Sequence, residues 1–434
     1  MERPEDRRLD FVFPPPDRLA SLIQAYFDTW NPLFPMFHRH LFEKQLINEQ
    51  FVHDKQFGVA VLLICALAES GLSGDAEQTS QRDHRPLGWS LFLQAEPFLR
   101  MPTPAEPQLL DIQIFLLAAF YMAFVKGNFA AWTLFGTAIR LGYLANAHRR
   151  DKYRNGHPNL PDELWKRTFW SLVVNDRTAA SIFGQPLMMK DETFDLDLPL
   201  EVDDECWDIE TAGFPLQDRP VTDQGSLSFF VANVRLWLIL GVSLRTLYSI
   251  NRSRLLMGFV GSDWEQRITR NIDQMLDEWM KTVPTHLQWD PDTKDLNHFM
   301  RSSFLTAKYC AVRIHAHNPF VRTTARGLSQ ATQSSRNTAD LTSSLTICTE
   351  AAVNCSQLMN TVMERHPRAL RLPGWAEPAW LSGLVLLINL FGFKSSLDDA
   401  DIRQFITYVE ACLDALTIVS VDDSVGVQRK RVPL

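Results

Sequence analysis

The sequence predicts an all-α, multi-helix fold, and three observations carry that expectation. Apolar residues recur at three- and four-residue spacing in stretch after stretch, which lines them along one face of a helix. Glycine and proline punctuate the stretches, and neither a convincing strand nor an internal repeat interrupts them. With 434 residues, 46% of them hydrophobic and 22% charged, the chain can bury a large core and has the balance of a soluble globular protein. Length alone allows two or three domains.

Residues 1–16 are polar, charged and proline-rich, and little order is expected there. After Pro14, Pro15 and Pro16, Asp17 is placed to cap a helix whose apolar face is Leu19, Leu22, Ile23, Tyr26, Phe27 and Trp30. Pro32 and Pro35 then flank a turn that leads to His38, His40 and Phe42. Phe57, Ala60, Val61, Ile64, Cys65 and Ala68 form the next face, ended by Gly71, Ser73 and Gly74, with a polar loop through Arg85 beyond. Trp89, Phe92, Leu93 and Glu96 open a short helix, and Pro102, Pro104 and Pro107 separate it from the apolar run Ile114 to Val125. So continuous a run implies a central, fully buried helix. Residues 131–149 place small side chains such as Ala131, Gly136 and Ala138 in the next helix, where they let helices approach closely.

The stretch Glu163 to Pro199 departs most from a generic helical pattern. Leu164, Thr168, Phe169, Leu172, Val173, Asp176 and Ala180 share one helical face, on which Asp176 is the exception. Gly184 can take the left-handed C-cap conformation and Pro186 cannot continue a helix, so the helix is expected to stop near Phe183. Residues 191–210 then hold ten Asp or Glu and no Lys or Arg, against a net charge of −8 for the whole chain, and read as a solvated loop. A carboxylate on an apolar face must be paired, hydrogen-bonded or protonated. Arg140, in the preceding helix, is the expected partner of Asp176; Arg177, the next residue, points about 100° away around the helix.

Further on, Leu227, Phe230, Val231, Val234, Leu238 and Gly241 form one stripe, and Trp264, Ile268, Ile272, Met275, Leu276 and Trp279 another that Pro284 closes. Residues 296–321 make a helix expected to finish at His317, Pro319 and Phe320. Residues 325–340 are rich in Ser, Thr, Gln and Asn and read as an exposed loop or linker, the best internal break. Three helices are expected beyond it, at about 341–365, 376–393 and 398–420.

These motifs together resemble the regulatory domain, or middle homology region, of fungal-specific transcription factors. The matching residues are Arg167, Trp170, Asp176, Gly184, Pro186, Asp191, Asp195 and Pro199 in the central stretch, with Pro32, Pro35, His38 and Phe42 at the N-terminal turn. Trp132, Gly136, Ile139, Arg140, Leu144 and His148 match in the preceding helix, and His317, Pro319 and Phe320 match in a later one. Two positions depart from the pattern, because Gln185 and Asn318 stand where many members carry Arg. The resemblance covers most of residues 17–321. It implies a regulatory domain over 17–324, the linker 325–340, and a C-terminal helical extension of the same domain over 341–434.

By the same resemblance, the chain belongs to a nuclear regulator of RNA polymerase II transcription, whose helical domain senses a small-molecule effector or a partner protein. Arg140, Arg167, Trp170, Asp176, Gly184 and Pro186 are then structural motif residues. In this family the zinc and the DNA contacts belong to an N-terminal binuclear cluster that this sequence does not contain. No cofactor is therefore expected in this chain, and DNA is reached only through the missing part. Transcription machinery, regulatory proteins and a second copy of the chain are the partners the family suggests. The alternative is a protein-interaction scaffold without DNA binding.

Charge and motifs bear on the other function classes. A net charge of −8 gives no global attraction to phosphate, whereas DNA-binding domains carry a basic stripe. No apolar run of bilayer-spanning length stands out, and no signal peptide opens the chain, so neither a membrane nor secretion is expected. Cys65, Cys206, Cys310, Cys348, Cys355 and Cys412 are scattered without a close pair and read as reduced, buried thiols. His38 and His40 lack a third ligand nearby, and His315 and His317 point to different sides of a helix, so all four read as structural. His148 reads as a helix-end residue facing terminal carbonyls. The acidic clusters lack the spacing that holds magnesium and diphosphate in isoprenoid cyclases: Asp203 and Asp204 are followed by Trp207 rather than a third carboxylate. Phosphate-loop, serine-elbow and zinc-protease motifs are absent as well, which leaves no catalytic constellation. The basic run Gln428 to Arg431 is too short to read as an import signal.

Overall fold

The structure is a computed structural model, and it describes residues 11–72, 86–99, 106–125, 128–153, 158–207, 225–249, 258, 263–327, 335–371, 374–392 and 398–420. Among these residues every regular element is an α-helix or a short 3-10 turn, and no strand occurs. The described residues fall into two compact units: 11–176 with 188–230, and 177–187 with 231–420.

The first unit is built on α1 (Pro16–Thr29), α2 (Arg39–Ile47), α3 (Gln50–His53), α4 (Lys55–Leu72), α5 (Trp89–Ala95), α6 (Leu109–Val125), α7 (Asn128–Leu144) and the first two-thirds of α8 (Leu160–Phe183). Its centre is α4 packed on α6. Val59 through Leu67 are completely buried, as are Leu116 through Ala119; the apolar run of α6 is buried as expected from Ile114 to Met122, while Ala123 and Val125 at its end are half-buried. Each large aliphatic side chain so removed from water contributes roughly 1.5–3 kcal/mol. α4 starts where Asp54 accepts hydrogen bonds from the Gln56 and Phe57 N–H groups, at 3.0 and 3.1 Å.

The N-terminal helix starts differently from the sequence expectation. Pro15 is the N-cap and Pro16 the first helical residue, so Asp17 lies inside the first turn and caps nothing. The proline ring fixes the helical φ in advance, and no side-chain oxygen is needed to stop an N–H that proline lacks. Residues 11–15 are also ordered, contrary to expectation: Phe13 meets Phe51 edge-on at 4.7 Å, and Phe11 packs on Phe98 at 5.7 Å. Two aromatic rings outweigh the polar composition around them. Residues 1–10 lie outside the described residues.

The second unit contains most of α9 (Ser226–Thr246), then α10 (Trp264–Thr282), α11 (Leu296–Gly327), α12 (Ser335–Arg365), α13 (Ala376–Gly392) and α14 (Asp399–Ser420). α11 and α12 lie against each other, and α13 and α14 pack on α12. Trp279 of α10 donates its ring N–H to the Ala232 carbonyl at 2.9 Å and stacks on Tyr309. Two sequence expectations change here. α11 runs through Pro319 to Gly327 rather than finishing at His317–Phe320, and Ser335 to Asp340 already belongs to α12, which shortens the expected 325–340 linker at both ends. Residues 328–334 lie outside the described residues.

α9 also corrects the membrane expectation. Leu227–Thr246 is long and apolar enough to cross a bilayer by length and composition, and Asn233, Arg235 and Arg245 masked that in the sequence. In the fold 72% of its apolar window is buried inside the protein, as in the core helix of a globular chain. All six cysteines are free and buried.

Candidate functional site

α8 begins at Asn159, whose Oδ1 accepts the Asp162 N–H at 2.9 Å. From there the helix carries polar side chains that are buried yet hydrogen-bonded, and their partners come from residues 188–204, which run antiparallel along it. Glu163 is completely buried and receives the Leu200 N–H on one carboxylate oxygen and Lys166 on the other, at 2.9 and 2.6 Å. Arg167 donates to the Val202 carbonyl at 3.2 Å and to the Asp204 carboxylate at 2.7 Å. Trp170 donates its ring N–H to the Asp197 carbonyl at 2.9 Å. Asp176 accepts the Met188 and Met189 N–H groups at 3.1 and 2.9 Å.

The segment expected to be a solvated loop is therefore a strap tied down at both ends and in the middle. Its backbone has no ladder to join, and burying unpaired N–H and C=O groups is costly, so side chains of α8 supply the missing partners. Met189, Leu196 and Pro199 of the strap are buried. The exposed acids are met by a basic turn: Arg150 reaches Asp197 at 2.6 Å, and its N–H bonds Asp195 at 2.9 Å. Asp208 and Glu210 lie outside the described residues.

At the C-terminal end of the strap, Asp204 joins three elements. Burial opposes its ionisation, but the Arg167 guanidinium and the Arg39 N–H outweigh that and hold the carboxyl below its ordinary range. His38 caps α2 by accepting the Leu41 N–H on Nδ1, so Nε2 carries the proton and donates to the Asp204 carbonyl oxygen at 2.9 Å. Burial lowers its pKa, which keeps this neutral tautomer. Both ring nitrogens of His38 are thus engaged within the turn.

The motif residues thus divide. Arg167, Trp170 and Asp176 all grip the strap, while Arg140 is exposed and does not pair with Asp176. In place of the expected Arg140–Asp176 pair, the carboxylate accepts the two backbone N–H groups of Met188 and Met189. Gly184 ends α8 in the left-handed region at φ +63°, as expected from the sequence, and Pro186 is exposed. His148 does not cap carbonyls. Its ring packs on Tyr143, and its Nδ1 is buried without a partner.

The second unit holds a buried ionic group that sequence reasoning missed. Glu377 accepts Lys308 at 3.1 Å on one oxygen, and His315 and the Ser181 hydroxyl at 3.2 and 2.6 Å on the other. Burial opposes the charge, yet Lys308, His315 and Ser181 hold the Glu377 carboxyl down at about 2. The Lys308 ammonium also faces the Trp237 ring at 5.1 Å. The one available signal was Lys308 two turns before His315 on an otherwise apolar helical face.

His317 points elsewhere, as the two-residue spacing requires. It bonds Ser344 through Nδ1 at 3.1 Å and Asp273 through Nε2 at 3.0 Å. The residue types are those of a hydrolase triad, but the ring is used in the opposite sense, and Ser344 sits inside α12, where neighbouring N–H groups serve the helix and form no oxyanion hole. The group is a tie between α10, α11 and α12. Among the described residues no set of three or more His, Cys, Asp or Glu side chains converges as a metal site would.

Comparison with known proteins places the chain. Residues 23–281 match the family model of the fungal specific transcription factor domain. The chain is 27% identical over 319 residues to transcriptional activator protein acu-15 of Neurospora crassa, covering 70% of this chain and 32% of that protein. It is 22% identical over 340 residues to activator of stress genes 1 of Saccharomyces cerevisiae, covering 75% and 33%. It is also 24% identical over 293 residues to the ABC-transporter-regulating transcription factor of Aspergillus oryzae, covering 66% and 31%. The chain spans about a third of the length of these relatives. No solved structure matches it. The match takes in the turn at His38, the whole of α8 and the strap, and the chain belongs to the fungal-specific transcription factor domain family, whose members regulate transcription.

Proposed function

We infer that this chain is the regulatory part of a nuclear transcription regulator and has no catalytic role. A zinc cluster outside this sequence would supply DNA recognition, and this chain would set how strongly the bound protein activates or represses. The observation that carries the reading is the family match over residues 23–281, coinciding with motif residues that hold the strap on α8 rather than converge on a reactive centre. Its inputs would be partner proteins of the transcription machinery, or a small-molecule effector bound within the helical core.

The test is to fuse the chain to an unrelated DNA-binding domain and measure a reporter in yeast. Transcription should change relative to the DNA-binding domain alone, and zinc analysis of the purified chain should find none at stoichiometric level. An expressed, nuclear fusion that leaves the reporter unchanged would favour the scaffold reading.

A further inference from the structure

α14 lies beyond the family match, and its two sides are chemically unlike. One side carries Ala411, Cys412 and Ala415, all buried, and the Tyr408 carbonyl accepts the Ser356 hydroxyl of α12 at 2.8 Å. This side packs on α12 and α13. On the opposite side Ile406 is 40% exposed and Leu413 55% exposed, one heptad apart, with half-buried Ile402 one turn before. Leaving large aliphatic side chains in water on a helix otherwise well packed is unfavourable, and repetition at heptad spacing makes a ridge of the shape another helix covers.

A second ridge lies beside the first. Asp399, Glu410 and Asp414 are exposed there, and Arg403 is the single base on that ridge among the described residues of the helix. Three acids against one base disfavour a second copy of α14 as the cover, because the two faces would repel. The same arrangement favours a helix with leucine-like residues on one face and lysine or arginine next to them.

We propose that the outer face of α14 docks an amphipathic, basic helix of another protein, with Ile406 and Leu413 taking its apolar face and Glu410 and Asp414 its basic flank. This deepens the reading that the domain works through protein partners and rests on it. The mode is helix on helix: the apolar ridge sets register, and the acids select charge and speed encounter.

The test uses the full chain and three labelled helical peptides of about 20 residues, read by fluorescence anisotropy. The first peptide has leucines at heptad spacing with flanking lysines. The second is the same composition scrambled, and the third replaces lysine by glutamate. The first should bind, and the other two should bind at least about tenfold more weakly. The double variants Ile406→Asp with Leu413→Asp, and Glu410→Lys with Asp414→Lys, change only exposed side chains and should each weaken the first peptide by about tenfold or more with an unchanged melting temperature. The proposal is overturned if the first peptide fails to bind, if the scrambled peptide binds as well, or if the variants bind as the parent does. Sedimentation that shows a dimer dissolved by the Ile406 and Leu413 changes would likewise overturn it, by naming a second copy as the occupant. A chain that binds the peptide but is silent in the reporter assay refutes only the regulatory reading; one active in the reporter but blind to the peptide refutes only this surface.

Discussion

The Arg167 guanidinium sits 2.7 Å from the Asp204 carboxylate across 37 residues of chain, with the arginine completely buried. This contact closes the strap onto α8. Removing one member strands the other in a poorly solvated place, at a cost of roughly 3–5 kcal/mol. Arg167→Ala and Asp204→Ala should each destabilise by about that amount, and the double variant should lose clearly less than the sum of the two. Urea unfolding of the four proteins checks this; additive losses would show that the pair is not coupled.

Asp176 and Arg140 should behave as strangers. Asp176→Ala leaves the Met188 and Met189 N–H groups without their acceptor, and charge-assisted bonds of this kind carry roughly 1.5–3 kcal/mol each. Arg140→Ala, at an exposed position, should stay within about 0.5 kcal/mol. Because the residues do not touch, the double variant should equal the sum of the singles in the same unfolding experiment.

Glu377 gives a pH signature. Its carboxyl sits at about 2 in the fold against an ordinary 4.5, so it binds fewer protons folded than unfolded. A depressed acid contributes its stabilisation above the unfolded value and loses it as pH falls toward the folded one. A gap of this size is worth about 3 kcal/mol. Glu377→Gln should be less stable than the parent at pH 6, and the difference should shrink as pH falls from about 4.5 to about 2, in a series of melting curves. A difference independent of pH would mean that the buried group is not ionised.

Gly184 should resist a side chain for backbone reasons alone. An ideal Cβ there meets nothing within 4 Å, so space is not the obstacle, but φ is +63°. Gly184→Ala should cost roughly 1 kcal/mol, and Gly184→Asn less, since asparagine tolerates the left-handed region. Thermal melts of the two variants rank them, and an alanine variant as stable as the parent would show that the turn relaxes out of that conformation.

The sequence by itself determined the helices, because each is a local pattern: the faces of α1 and α4, the stop at Gly184, and the last three helices close to their observed bounds. It also singled out Asp176, a carboxylate visible on an apolar helical face, whereas Arg167 and Trp170 were marked only by the resemblance to the family. Partners were decided only by the tertiary structure. Asp176 takes two backbone N–H groups instead of Arg140, the acidic stretch lies tied along α8 instead of free in solvent, and Glu377 finds Lys308 and His315 on another helix. Helical periodicity is written in residues a few positions apart, whereas a hydrogen bond between residues tens or hundreds apart depends on how the helices pack. Backbone N–H and C=O groups, the partners the strap uses most, are the same at nearly every position and leave no mark in a sequence.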